Sequence, residues 1–174
     1  MRITNFENPQ SRLIKRKNTD SDYRDEYLHD RDRILFSRSF RRLGGKTQLV
    51  PVSGLKASDH IRTRLTHSLE VMQIASSIGN YINQIKPEND DKVNIYLIEA
   101  ISLGHDLGHT PYGHVGERTL CNFFQKGLDH GYFPKDKLKH SFQSLKLCCF
   151  LEKQYCPDHY GLNLTVSTLE AVLN

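Results

Sequence analysis

Apolar residues recur at three- and four-residue spacing in window after window of this chain, and the windows are separated by glycine, proline and asparagine clusters. That rhythm commits each window to a helix with one inward stripe. The first runs from Asp22 to Leu43, with Phe36, Phe40 and Leu43 in step and Gly44-Gly45 as its stop. A second spans Thr63 to Gln84 on Val71, Ile74, Ala75, Ile78 and Ile82, and Lys86-Pro87-Glu88-Asn89 ends it. A third spans Asp91 to Leu107 on Val93, Leu97, Ala100, Ile101 and Gly104. Val115 to Lys126 carries Leu120, Phe123 and Phe124, and Asp136 to Gln154 carries Leu138, Phe142, Leu145, Cys149 and Leu151. A last pattern starts near Thr165 with Val166, Leu169, Val172 and Leu173. Only residues 46–60, with Pro51, Gly54 and Asp59 among Leu49, Val50 and Val52, suggest a loop or short hairpin, between the first two helices. The class is therefore all-α, with residues 1–20 as a polar, basic lead-in and residues 21–174 as the folded part.

Composition narrows the function classes. With 37% hydrophobic and 25% charged residues the chain has a globular balance, and no run of about 20 apolar residues could span a bilayer. No apolar signal segment follows Met1, so a cytoplasmic protein is expected. Cys121, Cys148, Cys149 and Cys156 show no Cys-x-x-Cys spacing and are expected to be reduced thiols packed as small hydrophobes. The net charge of +4 suits an anionic ligand without demanding nucleic acid, which a basic lead-in supports only weakly.

The chemistry concentrates in histidines. His67 lies one turn before Val71 on the inward stripe of the second helix, and His105-Asp106 stand at the end of the third. A lone histidine on an apolar stripe is ordinarily a core residue. Two imidazoles and a carboxylate from two helices of one core, however, suit a divalent metal that serves hydrolysis. Downstream, His114 and Glu117 are three residues apart and share a helical face, an arrangement in which a carboxylate can orient an imidazole for proton transfer. His109 falls between the two groups, and Pro111 and Gly113 argue against one helical face for His105, His109 and His114. His109 is expected to line the pocket or support the metal ligands from outside. Arg62, Arg64 and Lys46 flank the first histidine segment and are the candidate grips on an anionic ligand, whereas Arg41 and Arg42 are expected to be solvated charges.

Arg62-Thr63-Arg64-Leu65-Thr66-His67-Ser68-Leu69-Glu70-Val71 and Gly104-His105-Asp106-Leu107-Gly108-His109 resemble the two histidine segments of the HD-domain deoxynucleoside triphosphate triphosphohydrolases, the dGTPase-like family. Gly161-Leu162-Asn163-Leu164-Thr165 is similar to a further family segment, so the likeness covers about residues 30 to 174. Thr110 and Tyr112 stand where the family often has Pro and Phe, and Ser141 where it usually has Asn.

The resemblance implies an HD-domain helical bundle in which His67, His105 and Asp106 bind a divalent ion, with Mn, Mg, Fe, Ni, Co and Zn all open. It implies that His114 and Glu117 form the catalytic pair, that His140 is a further active-site histidine, and that Gln48 reads the deoxyribose. Arg64 becomes a phosphate contact by the same likeness. The activity implied is hydrolysis of a deoxynucleoside triphosphate, dGTP-like, to deoxynucleoside and inorganic triphosphate, in an enzyme whose relatives commonly form homo-oligomers. The family's fourth ligand, a later aspartate, has no match; Asp129, Asp136 and Asp158 do not stand in a following core helix. The expectation is thus the N-terminal portion of such an enzyme, a truncated bundle with three protein ligands. The alternatives are another HD-type nucleotidase or phosphodiesterase, and an inactive binding or assembly module.

Overall fold

The computed structural model describes residues 8–14, 22–48, 62–87, 91–124, 130, 139–152 and 161–173. Among these residues every regular element is helical: α1 Glu26–Leu35, α2 Arg38–Arg42, α3 Arg64–Ile85, α4 Ile95–Gly104, α5 Gly113–Phe123, α6 His140–Lys146 and α7 Val166–Leu173. A 3₁₀ turn, Leu43–Gly45, follows α2, and a π-helical turn, Leu147–Leu151, prolongs α6. The all-α expectation holds. Most of the expected hairpin region, residues 49–61, lies outside the described residues, as do Asp129, Asp136, Asp158 and Cys156. At the ends of that region Thr47 pairs antiparallel with Thr63, Gln48 N–H donates to the Arg62 carbonyl and Arg64 N–H to that of Lys46.

The single first helix expected from the sequence is two. Ser37 interrupts it: its backbone is extended and its hydroxyl accepts from Phe40 N–H, restarting the chain as α2. Phe40 and Leu43 are buried as expected, but Phe36, at the break, is exposed. Thr63 caps α3 and Asn94 caps α4, so α3 starts within a residue of the expected position and α4 several residues later, leaving His105 and Asp106 in the turn that follows.

The inward stripes of α3, α5 and the α6 segment differ from those expected. On α3, Ile74 and Ile78 are exposed, while Ser68, Ser76 and Gly79 are buried and Leu65, Leu69 and Met72 pack on the core. The reason is close helix approach: a Cβ at Gly79 would lie 2.7 Å from Ile98 Cδ1, so the α3 to α4 contact selects small side chains over large ones. On α5, Phe123 is exposed and Leu120 and Phe124 lie partly outside. In the α6 segment Ser144, Leu147 and Cys148 are buried in place of Phe142 and Leu151; beyond Lys146 the π turn resets which residues face inward. Leu138 lies outside the described residues.

The core consists of Ile34, Phe40, Leu43, Ala100, Leu103, Leu107, Leu147, Cys148, Leu162 and Leu164. α4 is its centre, packed by α3 and α1 and touched by α7, which also packs on α6. Arg12, in the lead-in, is buried against this body: its guanidinium pairs with Asp30 of α1 and with Glu26. Glu152 accepts from Arg38 N–H, Ser39 N–H and the Ser39 hydroxyl, neutralising the start of α2.

Candidate metal and nucleotide site

The turn after α4 carries the site: the helix ends at Gly104, and within the next four residues Asp106 meets Arg64 of α3 and Gly108 meets Ser144 of α6. His105 Nδ1 lies 2.7 Å from the Ser102 carbonyl. A carbonyl only accepts, so Nδ1 carries a proton, which leaves Nε2 as the ring atom for a cation. That Nε2 is 3.4 Å from Asp106 Oδ1. His67, one turn into α3, meets His105 edge-on with ring centroids 5.5 Å apart. One donor atom each of His67, His105 and Asp106 lies within 4.8 Å of the others. Two imidazoles and a carboxylate in that compass fit a divalent cation. Burial lowers the His67 pKa, which favours the neutral, ligating form.

Arg64 crosses the floor of this group. Its Nη1 lies 2.9 Å from Asp106 Oδ2, both side chains are nearly buried, and its Nε has no hydrogen-bond partner. Gly113 makes the crossing possible: a Cβ there would come 2.7 Å from Arg64 Nη2, at a φ of 58° that side-chain-bearing residues rarely adopt. Lys46 Nζ donates to the His109 carbonyl at 2.7 Å, and burial lowers its pKa. The backbone pairing at residues 46–48 holds Gln48 at the head of α3. Arg62 points elsewhere; it pairs with Glu70 at 2.6 Å on the exposed side of α3, from where its charge still reaches His67.

A second group forms from three separate places. His109 comes from the turn, His114 from the first turn of α5 and His140 from the first residue of α6. Ring centroids are 4.1 Å apart for His109 and His140, 5.2 Å for His109 and His114, and 5.3 Å for His114 and His140. Glu117 Oε2 lies 3.0 Å from His140 Nδ1 but 4.0 Å from His114 Nδ1. The carboxylate expected to orient His114 thus hydrogen-bonds His140, and it leaves His114 70% exposed. Burial holds the His109 pKa at about 4, against the pull of Asp106 and with the help of Arg64, so His109 is neutral near pH 7. His109 Nδ1 is 3.1 Å from Asp106 Oδ1 without the alignment of a hydrogen bond, and remains an unpartnered buried atom.

Sequence reasoning missed what joins the two groups. Gly108 N–H donates to Ser144 Oγ at 2.8 Å, and a Cβ on Gly108 would lie 2.2 Å from both the His140 carbonyl oxygen and Ser144 N. A glycine between Leu107 and His109 was the one signal of that approach. The Arg64 to Asp106 pairing carried none.

Residues 64–167 match the HD domain family. The chain is also 46% identical over 153 residues to a deoxyguanosinetriphosphate triphosphohydrolase-like protein of Wolinella succinogenes, covering 87% of this chain and 37% of that one. It is 45% identical over 167 residues to one of Pelagibacter ubique, covering 94% and 38%. A third, of Caldanaerobacter subterraneus subsp. tengcongensis, is 41% identical over 166 residues, covering 95% and 41%. The chain spans about two fifths of the length of these relatives. Among the described residues no helix is long and apolar enough to cross a membrane. With His67, His105 and Asp106 inside the matched region and their donor atoms drawn together, the chain belongs to the HD domain family.

Proposed function

We propose that this chain supplies the metal-ligating and proton-transfer residues of a phosphohydrolase that cleaves a deoxynucleoside triphosphate, dGTP-like, to deoxynucleoside and inorganic triphosphate. Residues 21–174 would be the N-terminal part of its HD phosphohydrolase domain. The observation that carries the reading is the convergence of His67, His105 and Asp106 within 4.8 Å, beside His109, His114, His140 and Glu117. The names of the relatives support the substrate class.

His67, His105 and Asp106 would hold a divalent cation, which when bound polarises a phosphoryl oxygen and lowers the pKa of a water. Arg64, with an unpartnered buried Nε, and Lys46 would bind phosphate oxygens and offset the negative charge that builds up at phosphorus. Water attacks the α-phosphorus, the bond to the 5′ oxygen breaks, and one proton leaves the water while another reaches the departing oxygen. The exposed His114 is the side chain free to manage one of those protons. Glu117 holds His140 in a single orientation beside it. Gln48, at the end of the pairing that starts α3, would contact the sugar, and the neutral His109 would line the pocket.

Product analysis tests this. The protein is incubated with each deoxynucleoside triphosphate and Mn²⁺, and the products are resolved by anion exchange. Inorganic triphosphate with deoxynucleoside is expected from dGTP, with turnover lost in His105→Ala and lowered by about 10² to 10⁴ in His114→Ala at unchanged metal content. Orthophosphate or pyrophosphate with a nucleotide product would assign a different HD phosphohydrolase. Metal and nucleotide binding without turnover would make the chain a binding module.

A further inference from the structure

Ser144 belongs to neither histidine group, yet it touches the turn that carries one and sits on the helix that carries the other. It lies four residues after His140, one turn further along α6, and is fully buried. A serine inside a helix commonly returns its hydroxyl to the carbonyl four residues back, as Ser68 does to Arg64 and Ser77 to Gln73 on α3. The Ser144 hydroxyl serves another element instead, accepting from Gly108 N–H at 2.8 Å. Among the described residues this is the hydrogen bond that joins residues 105–109 to α6.

We infer that Ser144 is a positioning residue: its hydroxyl sets where the turn bearing His105 and Asp106 sits against His140, and thereby the separation of the metal ligands from the proton-transfer side chains. The catalytic consequence rests on the proposed function; the placement does not.

Two anchors hold the turn, on two different helices. Arg64 Nη1 holds Asp106 to α3 at 2.9 Å, and Ser144 holds Gly108 to α6. Between them the turn is bonded within itself, Leu107 N–H to the Gly104 carbonyl and His109 N–H to that of Asp106. The second anchor is a close one, since a Cβ on Gly108 would lie 2.2 Å from the His140 oxygen and the Ser144 nitrogen and 2.7 Å from Ser144 Oγ. His109 follows Gly108 directly, and its ring centroid is 4.1 Å from that of His140. Glu117 orients the His140 ring, but nothing in that bond places the ring relative to the metal ligands. Deleting the Ser144 hydroxyl leaves the buried Gly108 N–H without a partner, which the turn relieves by shifting away from α6. His67, His105 and Asp106 stay together through the Arg64 anchor while their distance to His140 changes. Catalysis tolerates that poorly, because a misplacement of about 1 Å can cost on the order of 10² in rate.

Ser144→Ala, His140→Ala and the double variant test the inference. The measurements are kcat and KM for dGTP, Mn²⁺ affinity from the paramagnetic resonance of the free ion, and Gly108 amide exchange by nuclear magnetic resonance in the metal-free protein. Ser144→Ala is expected to lower kcat by about 10- to 100-fold, with KM and Mn²⁺ affinity within about threefold of the parent. Its Gly108 amide should exchange at least about tenfold faster while the amides of α1 and α4 keep their rates. In the His140→Ala background the same substitution should cost less than about threefold in kcat, since the group to be positioned is gone. An equal loss in both backgrounds overturns the inference and leaves Ser144 a core residue alone. So does Mn²⁺ affinity that falls in step with kcat, or a Gly108 amide that exchanges alike in Ser144→Ala and the parent. If Ser144→Ala loses its far-ultraviolet dichroism, Ser144→Cys, with a larger and weaker acceptor, takes its place with the same outcomes. A parent that releases no triphosphate from any deoxynucleoside triphosphate defeats the proposed reaction, and the Gly108 exchange and Mn²⁺ affinity then decide the placement by themselves.

Discussion

Asp106 divides its carboxylate between two neighbours, Oδ2 at 2.9 Å from Arg64 Nη1 and Oδ1 at 3.1 Å from His109 Nδ1. Both the carboxylate and the guanidinium are nearly buried, so removing the arginine leaves a negative charge with little solvent to compensate it. Such a loss costs about 3–5 kcal/mol. Arg64→Ala is therefore expected to lower the metal-free stability by about that amount. Mn²⁺ should restore part of it, because a cation on Asp106 replaces the missing charge and a ligand specific to the folded state stabilises by mass action. Urea midpoints in chelator and in Mn²⁺ check both halves. The Mn²⁺-induced shift must be larger in the variant than in the parent; an equal shift would mean the cation does not reach Asp106.

Gly108 is where the turn and α6 touch. A methyl group would stand 2.2 Å from two backbone atoms, the His140 oxygen and the Ser144 nitrogen, and neither can rotate away. Gly108→Ala is expected to cost about 3 kcal/mol or more, at the upper end of overpacking effects. Gly45→Ala meets nothing within 4 Å and should fall within about 0.5 kcal/mol of the parent. Thermal unfolding of the two variants side by side decides it, and equal midpoints would refute the contact.

The helical class and the histidine segments could be read directly because each is written in local order: spacing for the helices, adjacent residue types for His105 and Asp106. The start of α3 was legible to within a residue at its Thr63 cap, whereas α4 begins several residues after the expected Asp91 although Asn94 caps it, and α5 begins two residues before Val115, at Gly113, which follows Tyr112 in left-handed geometry. Which face turns inward was not legible on α3. There the buried stripe is Ser68, Ser76 and Gly79, and a hydrophobicity pattern cannot announce a face chosen for close backbone approach. The pairing of Glu117 was equally hidden. Three-residue spacing joins it to His114, but the partner that comes closest, His140, is 23 positions away and arrives only with the tertiary fold.

The thiols divide by burial. Cys148 is fully buried and burial drives its pKa up, with the nearby Glu152 and Asp30 adding to the effect; burial raises Cys149 as well. The thiolate is the reactive form, so Cys148 should resist alkylation by iodoacetamide at pH 8 until the protein unfolds, whereas Cys121, partly exposed on α5, should be modified in the native state. Peptide mapping after timed alkylation, with and without urea, reads the order. Modification of Cys148 as fast as Cys121 in the native protein would contradict its burial.

Arg12 and Asp30 form, among the described residues, the most enclosed ion pair outside the site, with Nη1 and Oδ1 2.6 Å apart and side-chain exposures of 3% and 0%. The other Asp30 oxygen accepts from Thr165 N–H and from the hydroxyls of Thr165 and Thr168, so one carboxylate ties residues 8–14, α1 and the start of α7 together. Arg12→Met removes the cation but leaves Asp30 charged and enclosed, which should cost about 3–5 kcal/mol. Asp30→Asn leaves Arg12 its second partner, Glu26, and should cost less. If the pair acts as a unit, the double variant is less destabilised than the sum of the two, by about 1–3 kcal/mol. Denaturant unfolding of the four proteins closes the cycle. Strict additivity would show that Arg12 and Asp30 do not act as a unit, and that Glu26 and the two threonines hold this corner.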